Sequence, residues 1–219
     1  IKLIVIDDEG AKRLAPMDLD AFKAANRVFS EGLKKHAVTG EGLPAYGTNV
    51  LTNVINEAGG YPTRNFQKGR FEGASKISGE TIAEMEDARG GTSSHSCHTG
   101  CIIKCSGIYH DAEGKFLTKQ PEYETVWAHG GNCEIDDPDK IAMIDRLDDD
   151  FGLDTIEMGA TIGVAMEAGI IEFGDTDGAI NLIKEVGKGT PLGKILGAGA
   201  EITGKTLGVE RVPVVKGQA

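Results

Sequence analysis

Asp137-Pro138-Asp139-Lys140-Ile141-Ala142-Met143-Ile144-Asp145-Arg146-Leu147-Asp148-Asp149-Asp150-Phe151-Gly152-Leu153-Asp154 reads as a whole helix with both ends marked. Asp137 can accept hydrogen bonds from the first free backbone N–H groups, and Pro138, which has no N–H to lose, suits the first helical position. Ile141, Ile144, Leu147 and Phe151 recur at helical spacing and predict one buried stripe. Gly152 then breaks the pattern, as a helix-closing residue does. The three adjacent carboxylates Asp148, Asp149 and Asp150 fall in an acidic turn before the next helical segment, Thr155 to Gly169. There Gly159, Ala160, Gly163 and Ala168 are small enough to let another backbone or a bulky cofactor approach closely. These features predict a mainly α, multihelical fold.

The pattern extends in both directions. Upstream, a helix is expected from Asp18, a good N-cap, to about Lys35, with Leu19, Phe22, Ala25, Val28, Phe29 and Leu33 on one face. Residues 41–75 are rich in Gly, Asn and Pro and read as loop around a short helix at 48–58. Another helix is expected at 80–88. Residues 107–115 read as a hairpin around Glu113-Gly114, and helix resumes from about Glu122. Downstream, shorter helices are expected at about 177–187 and 190–198. Ile1 to Ile6 is β-branched and strand-like. No internal repeat or low-complexity tract appears.

Composition excludes some functions. With 34 acidic and 23 basic residues among 219, the formal charge is -11. That charge repels nucleic-acid phosphates and anionic lipid, so small molecules or a basic protein surface are the expected partners. No run reaches the roughly 18 apolar residues of a membrane helix. The first residues are too quickly acidic for a signal peptide, and a cytoplasmic location is expected.

Three of the four cysteines lie in one run, Cys97-His98-Thr99-Gly100-Cys101-Ile102-Ile103-Lys104-Cys105. This is not a disulfide framework, which would spread its cysteines along the chain to close long loops. The C-x3-C-x3-C spacing is compatible with ligands of an iron–sulfur cluster, ligands of zinc, or three buried structural thiols. A cluster and structural zinc both ordinarily want four ligands, so a fourth is missing, with His95, His98 and Cys133 as the local choices. Near the C-terminus, Gly199-Ala200-Glu201-Ile202-Thr203-Gly204-Lys205-Thr206 satisfies the spacing of a phosphate-binding loop. It has no hydrophobic strand before it and only thirteen residues after it, so it is read as a helix end and loop. Glu124, in Pro121-Glu122-Tyr123-Glu124-Thr125, is either a solvated first-turn carboxylate or a general base. The acidic turn at 148–154 either caps a helix junction or grips the N–H groups of a heterocycle.

Taken in order, Gly47-Thr48, Asn53, Gly59, Pro62-Thr63-Arg64-Asn65-Phe66, Gly69, Phe71, the cysteine run, Pro121-Glu122-Tyr123-Glu124-Thr125, Asn132-Cys133 and Asp149-x-x-Gly152-Leu153-Asp154 resemble the tungsten- or molybdenum-dependent aldehyde ferredoxin oxidoreductase family. The resemblance implies that Cys97, Cys101 and Cys105 are ligands of a [4Fe-4S] cluster. It implies that Asp149, Gly152, Leu153 and Asp154 form one of two loops holding a bis-pterin around tungsten or molybdenum, and that Glu124 is the carboxylate beside that metal. It further implies an aldehyde substrate, a ferredoxin-like electron acceptor and a fourth cluster ligand in a C-terminal domain. Residues 1–10 would then be the tail of a preceding N-terminal β domain, and 11–219 a helical cluster- and pterin-binding domain. By this resemblance the chain is part of a longer enzyme and inactive alone. The family usually places two residues between its first two cysteines, whereas three separate Cys97 from Cys101. The alternative is a noncatalytic structural or protein-interaction domain with zinc or no metal.

Overall fold

The structure, a computed structural model, describes residues 3–12 and 14–219. Helix α1 spans Leu19–Lys35, α2 Leu43–Tyr46, α3 Leu51–Glu57 and α4 Gly79–Arg89. Strands β1 (Thr92–His95), β2 (Ser106–His110) and β3 (Phe116–Lys119) follow, then α5 (Tyr123–His129) and α6 (Pro138–Phe151). The chain continues through α7 (Thr155–Glu167), α8 (Thr176–Lys188), α9 (Pro191–Leu196) and α10 (Ala200–Leu207). The mainly helical fold with a small sheet is the one the sequence predicts.

Helix α6 forms as its sequence dictates. Asp137 Oδ1 accepts from the amides of Asp139 and Lys140 at 3.0 and 3.3 Å. Ile141 and Ile144 are fully buried, with Leu147 and Phe151 packed against the same core. Gly152 closes the helix at φ +69°, a left-handed conformation that glycine adopts without a Cβ penalty. The same face also buries Asp145 and Asp148.

Helix α7 is the central element, and its small residues have a structural explanation. A Cβ on Gly159 would lie 2.6 Å from the Ala128 Cβ, so α5 crosses α7 at backbone contact; Gly163 makes room for the Asn132 side chain. The neighbours that the small residues admit are thus protein: the α5 backbone at Gly159 and a side chain at Gly163. The three strands form an antiparallel sheet in the order β1-β2-β3, with Thr92 opposite Ile108 and Tyr109 opposite Thr118. Two polar ties fix the sheet against the helices. Tyr109 donates to Asp139 at 2.8 Å, and Arg89 pairs with both oxygens of the same carboxylate. Thr118 donates to Asp145 at 2.9 Å.

Several expectations are corrected in detail. β1 was not anticipated: Thr-Ser-Ser-His has no apolar alternation and becomes a strand only through its pairing with β2. The single helix expected at 190–198 ends at Leu196, and Gly199-to-Thr206 is neither a phosphate loop nor a helix end and loop. It is the start and body of α10, closed by Gly208 at φ +75°. The amide at the start of α10 is already bound by a carboxylate, Ala200 N to Glu157 Oε1 at 2.8 Å, and Lys205 pairs with Glu201. A phosphate would meet repulsion there.

Helix α1 forms where expected, with Asp18 accepting from two amides, but its apolar face is open: Phe22 and Phe29 are 55% and 65% exposed. The strand expected at the start falls partly outside the described residues, since Ile1 and Lys2 are not described. Leu3 to Ile6 stand exposed with no ladder partner among the described residues.

Candidate metal and cofactor site

The cysteine run connects β1 to β2. Its backbone turns through Thr99 and Gly100, with Gly100 at φ +87°, so a helix that stacks the cysteines on one face does not form. Cys97 is exposed, whereas Cys101 and Cys105 are half-buried, and all four cysteines of the chain are free thiols. The Sγ atoms of Cys97 and Cys101 and a ring nitrogen of His98 lie within 4.8 Å of one another. The amides of Lys104 and Ile103 point at the Cys101 sulfur and hold its thiol below the usual range, favouring the thiolate.

Cys105 lies at the other end of the loop, where β2 begins. Burial pushes its thiol up, and the nearby Glu122 carboxylate adds to the rise. Gly47, at φ +61°, allows this end of the loop to pass, because a Cβ there would come within 3.0 Å of the Cys105 carbonyl. Cys133 is apart from this group: it is fully buried, its Sγ faces the carbonyls of Ala128 and Gly159, and burial raises its thiol well above the ordinary value.

The loop leads directly to α5. Thr48, next to Gly47, donates to Glu122 at 2.6 Å and accepts from the Tyr123 amide at 2.9 Å, while Asn49 donates to the Pro121 carbonyl. These contacts fix the first turn of α5, from which Glu124 projects into solvent. Thr125, its neighbour, shares a 2.9 Å hydrogen bond with Thr155 in the first turn of α7. That contact joins the helix carrying Glu124 to the start of α7, directly after the turn carrying Asp149, Gly152, Leu153 and Asp154.

Within this turn the three aspartates are unlike. Asp148 is buried and pairs with the buried His129 at 2.9 Å; burial raises its carboxyl, against the lowering effect of His129. Asp149 is exposed, as is Gly152. Asp150 is exposed as well and pairs with Arg146. Leu153 donates its amide to the Asp148 carbonyl at 2.8 Å and packs its side chain on the core. Asp154 caps α7 by accepting from the Glu157 amide at 2.9 Å, with its carboxylate in solvent. Two acceptor-only carboxylates therefore flank an exposed glycine on a turn whose backbone is fixed from below. Sequence reasoning quoted Thr48 and Glu122 only within longer motifs and missed the bond between them, and it missed the His129–Asp148 pair. Their partners are distant in sequence, so no local pattern marks them.

The donors suit the groups expected of them. The Cys97 and Cys101 thiols lie close together, with Cys105 apart from them, and with backbone N–H groups aimed at the Cys101 sulfur they are soft ligands with the hydrogen bonding that thiolate centres use. Carboxylates on a turn can accept from the amino and ring N–H groups of a heterocycle.

The cysteine loop and the carboxylate-bearing turn thus both lie near the first turn of α5 in a mainly helical domain. Residues 24–219 match the model described as "Aldehyde ferredoxin oxidoreductase, domains 2 & 3", and the chain belongs to that family. It is 42% identical over 182 residues to a tungsten-containing aldehyde ferredoxin oxidoreductase of Pyrococcus abyssi, covering 81% of this chain and 28% of that protein. The similarly named protein of Pyrococcus horikoshii is 37% identical over an alignment that covers 100% of this chain and 37% of its own length. A lower similarity, 30% over 46% of this chain and 18% of the relative, is to the aliphatic sulfonate oxidoreductase WOR-like subunit of Pyrococcus furiosus. The chain spans between about a quarter and two-fifths of the length of the tungsten-containing relatives. No helix among the described residues is long and apolar enough to cross a membrane.

Proposed function

We propose that this chain is the cluster- and pterin-binding part of an enzyme that oxidises aldehydes to carboxylic acids and passes the electrons to a ferredoxin-like carrier. The observation that carries the reading is the Thr125–Thr155 hydrogen bond, which puts the Glu124 helix beside the Asp149–Asp154 turn. Membership of a family whose relatives are named tungsten-containing aldehyde ferredoxin oxidoreductases supports the substrate class and the metal.

The overall change is aldehyde plus water to carboxylic acid, two electrons and two protons. When bound, a tungsten or molybdenum bis-pterin supplies the two-electron acceptor, and a [4Fe-4S] cluster supplies the one-electron relay. Cys97, Cys101 and Cys105 are the cluster ligands in this reading, and the rest of a longer polypeptide provides the fourth. Asp149 and Asp154 accept from pterin N–H groups, Gly152 leaves room for the ring to approach, and Leu153 anchors the turn. Glu124, which faces solvent, takes a proton from the water or hydrate that becomes the acid. Four free thiols accord with a reducing, cytoplasmic compartment. With residues 11–219 as the cofactor-binding domain and the enclosing domains elsewhere, the 219-residue chain has no turnover of its own.

Anaerobic reconstitution with iron and sulfide, followed by metal analysis and electron paramagnetic resonance of the reduced sample, tests the reading. The expected result is a cluster signal in this chain or in one extended at its C-terminus, lost in Cys101→Ala. No cluster in either form, or aldehyde turnover by the 219-residue chain alone, would overturn it.

A further inference from the structure

We infer that the cysteine loop is also a site for a single thiophilic divalent cation of the zinc type, held by Cys97, His98 and Cys101 with water as the fourth ligand, and that this ion and a cluster exclude one another.

The spacing of the donors carries the inference. Their ligand atoms all lie within 4.8 Å of one another. A tetrahedral ion with metal–sulfur and metal–nitrogen distances of about 2.3 and 2.0 Å holds its donors roughly 3.5–4 Å apart, so small side-chain movements close the site around one ion. A cluster instead attaches each thiolate to a different iron, which needs Cys105 as the third thiol. Cys105 is not in the close group.

His98 can offer one ring nitrogen to an ion while the other is held by backbone. Its Nδ1 lies 3.0 Å from the Thr99 carbonyl. A carbonyl can only accept, so the tautomer that makes this bond carries its hydrogen on Nδ1 and offers Nε2 to an ion. A hydrogen bond from the other ring nitrogen to a backbone carbonyl is what fixes the tautomer of a metal-bound histidine. The loop can also fold back on itself. Three residues separate Cys97 from Cys101, and one of them, Gly100, turns at φ +87° with nothing within 4 Å of where a Cβ would sit. Cys97 and His98 are exposed, so an ion can reach them from solvent, and two thiol protons leave as it binds.

The test is titration of the reduced, metal-free chain with cobalt(II) chloride under anaerobic conditions, read by thiolate-to-cobalt charge transfer and tetrahedral d–d absorption. We expect one cobalt per chain, displaced by zinc. His98→Ala should weaken binding at least tenfold and leave assembly of the iron–sulfur cluster intact. Cys105→Ser should keep cobalt affinity within about twofold and abolish cluster assembly, and His95→Ala should change neither. His95 and His98 are exposed, and Cys105→Ser is nearly isosteric at a half-buried position, so circular dichroism should report an unchanged fold in each variant. Cobalt binding lost in Cys105→Ser but kept in His98→Ala would overturn the inference, as would absence of charge transfer in the unmodified chain. Both of those results leave the cluster reading standing. Conversely, cobalt uptake through His98 with no cluster assembled either in this chain or in one extended at its C-terminus keeps this inference and removes that reading.

Discussion

Thr125 Oγ1 and Thr155 Oγ1 lie 2.9 Å apart, and this one hydrogen bond joins the first turns of α5 and α7. Thr125 is buried, so its hydroxyl finds no water if the partner is removed. Thr155→Val is therefore expected to cost about 1–2 kcal/mol, measured as a lowered urea midpoint. Replacing both threonines by valine removes the stranded hydroxyl along with its partner. The double variant should lose less than the sum of the two singles, and strict additivity would show that the contact carries no coupling.

His129 and Asp148 form a pair in which both side chains are at most 1% exposed. Removing one partner leaves the other polar group buried and uncompensated, so Asp148→Ala should destabilise by roughly 3–5 kcal/mol. Asp149→Ala, one residue on and exposed, should stay within about 0.5 kcal/mol of the unmodified chain. Equilibrium unfolding of the two variants side by side checks the contrast. Similar losses would mean that Asp148 is not held by burial and pairing.

This contrast also marks where sequence reading stops. Helix α6 was legible because its signals are local: a capping aspartate, a proline at the first turn, a four-residue apolar stripe and a closing glycine. The fate of Asp148 was not, although Ile141, Ile144, Asp145 and Asp148 share one helical face. A carboxylate there is favourable only with a partner, and His129 is 19 residues away on another helix. The cysteine loop was found by composition, but the approach of His98 to Cys97 and Cys101 depends on a turn at Gly100 that spacing does not fix. Glu124 and the acidic turn at 148–154 were singled out from their residues with two readings each, and the resemblance supplied the roles. Their adjacency depends on Thr125 and Thr155, two ordinary threonines with no pattern to distinguish them.

Glu86 on α4 gives a pH dependence. It is 1% exposed, neither carboxylate oxygen has a hydrogen-bond partner among the described residues, and burial pushes its carboxyl up to about 8. In the unfolded chain the same group ionises near its ordinary value of 4.5. Between those values the unfolded state releases a proton that the folded state retains. Stability should therefore be full below about pH 4.5, fall as pH rises towards 8 and level off above it. Glu86→Gln keeps the shape without the ionisation. It should flatten this part of the profile and be the more stable form at pH 8, by on the order of a few kcal/mol. Urea midpoints of both forms at pH 5 and pH 8 decide the matter. An equal fall in both would place the titration elsewhere.

Gly159 sets the distance between α5 and α7. A methyl group there would meet the Ala128 Cβ at 2.6 Å and its carbonyl carbon and oxygen at 2.7 Å. Two of these contacts are backbone, so no side-chain rotation relieves them and α5 itself must move. Gly159 also supplies the carbonyl that accepts from Asn132 Nδ2 at 3.2 Å and faces the Cys133 thiol at 3.6 Å, so displacement would strain both. Gly159→Ala should cost about 1–3 kcal/mol, as overpacking does, despite alanine's higher helix propensity. Gly32→Ala in α1 is the control: its Cβ would meet nothing within 4 Å, and the change should be neutral or stabilising by up to about 1 kcal/mol. Because α5 carries Glu124 and α7 begins just after the Asp149–Asp154 turn, a shift at this crossing would alter the separation of the two. Matching stabilities for Gly159→Ala and the unmodified chain would mean that α5 can slide to admit the methyl, and that Gly159 does not set that separation.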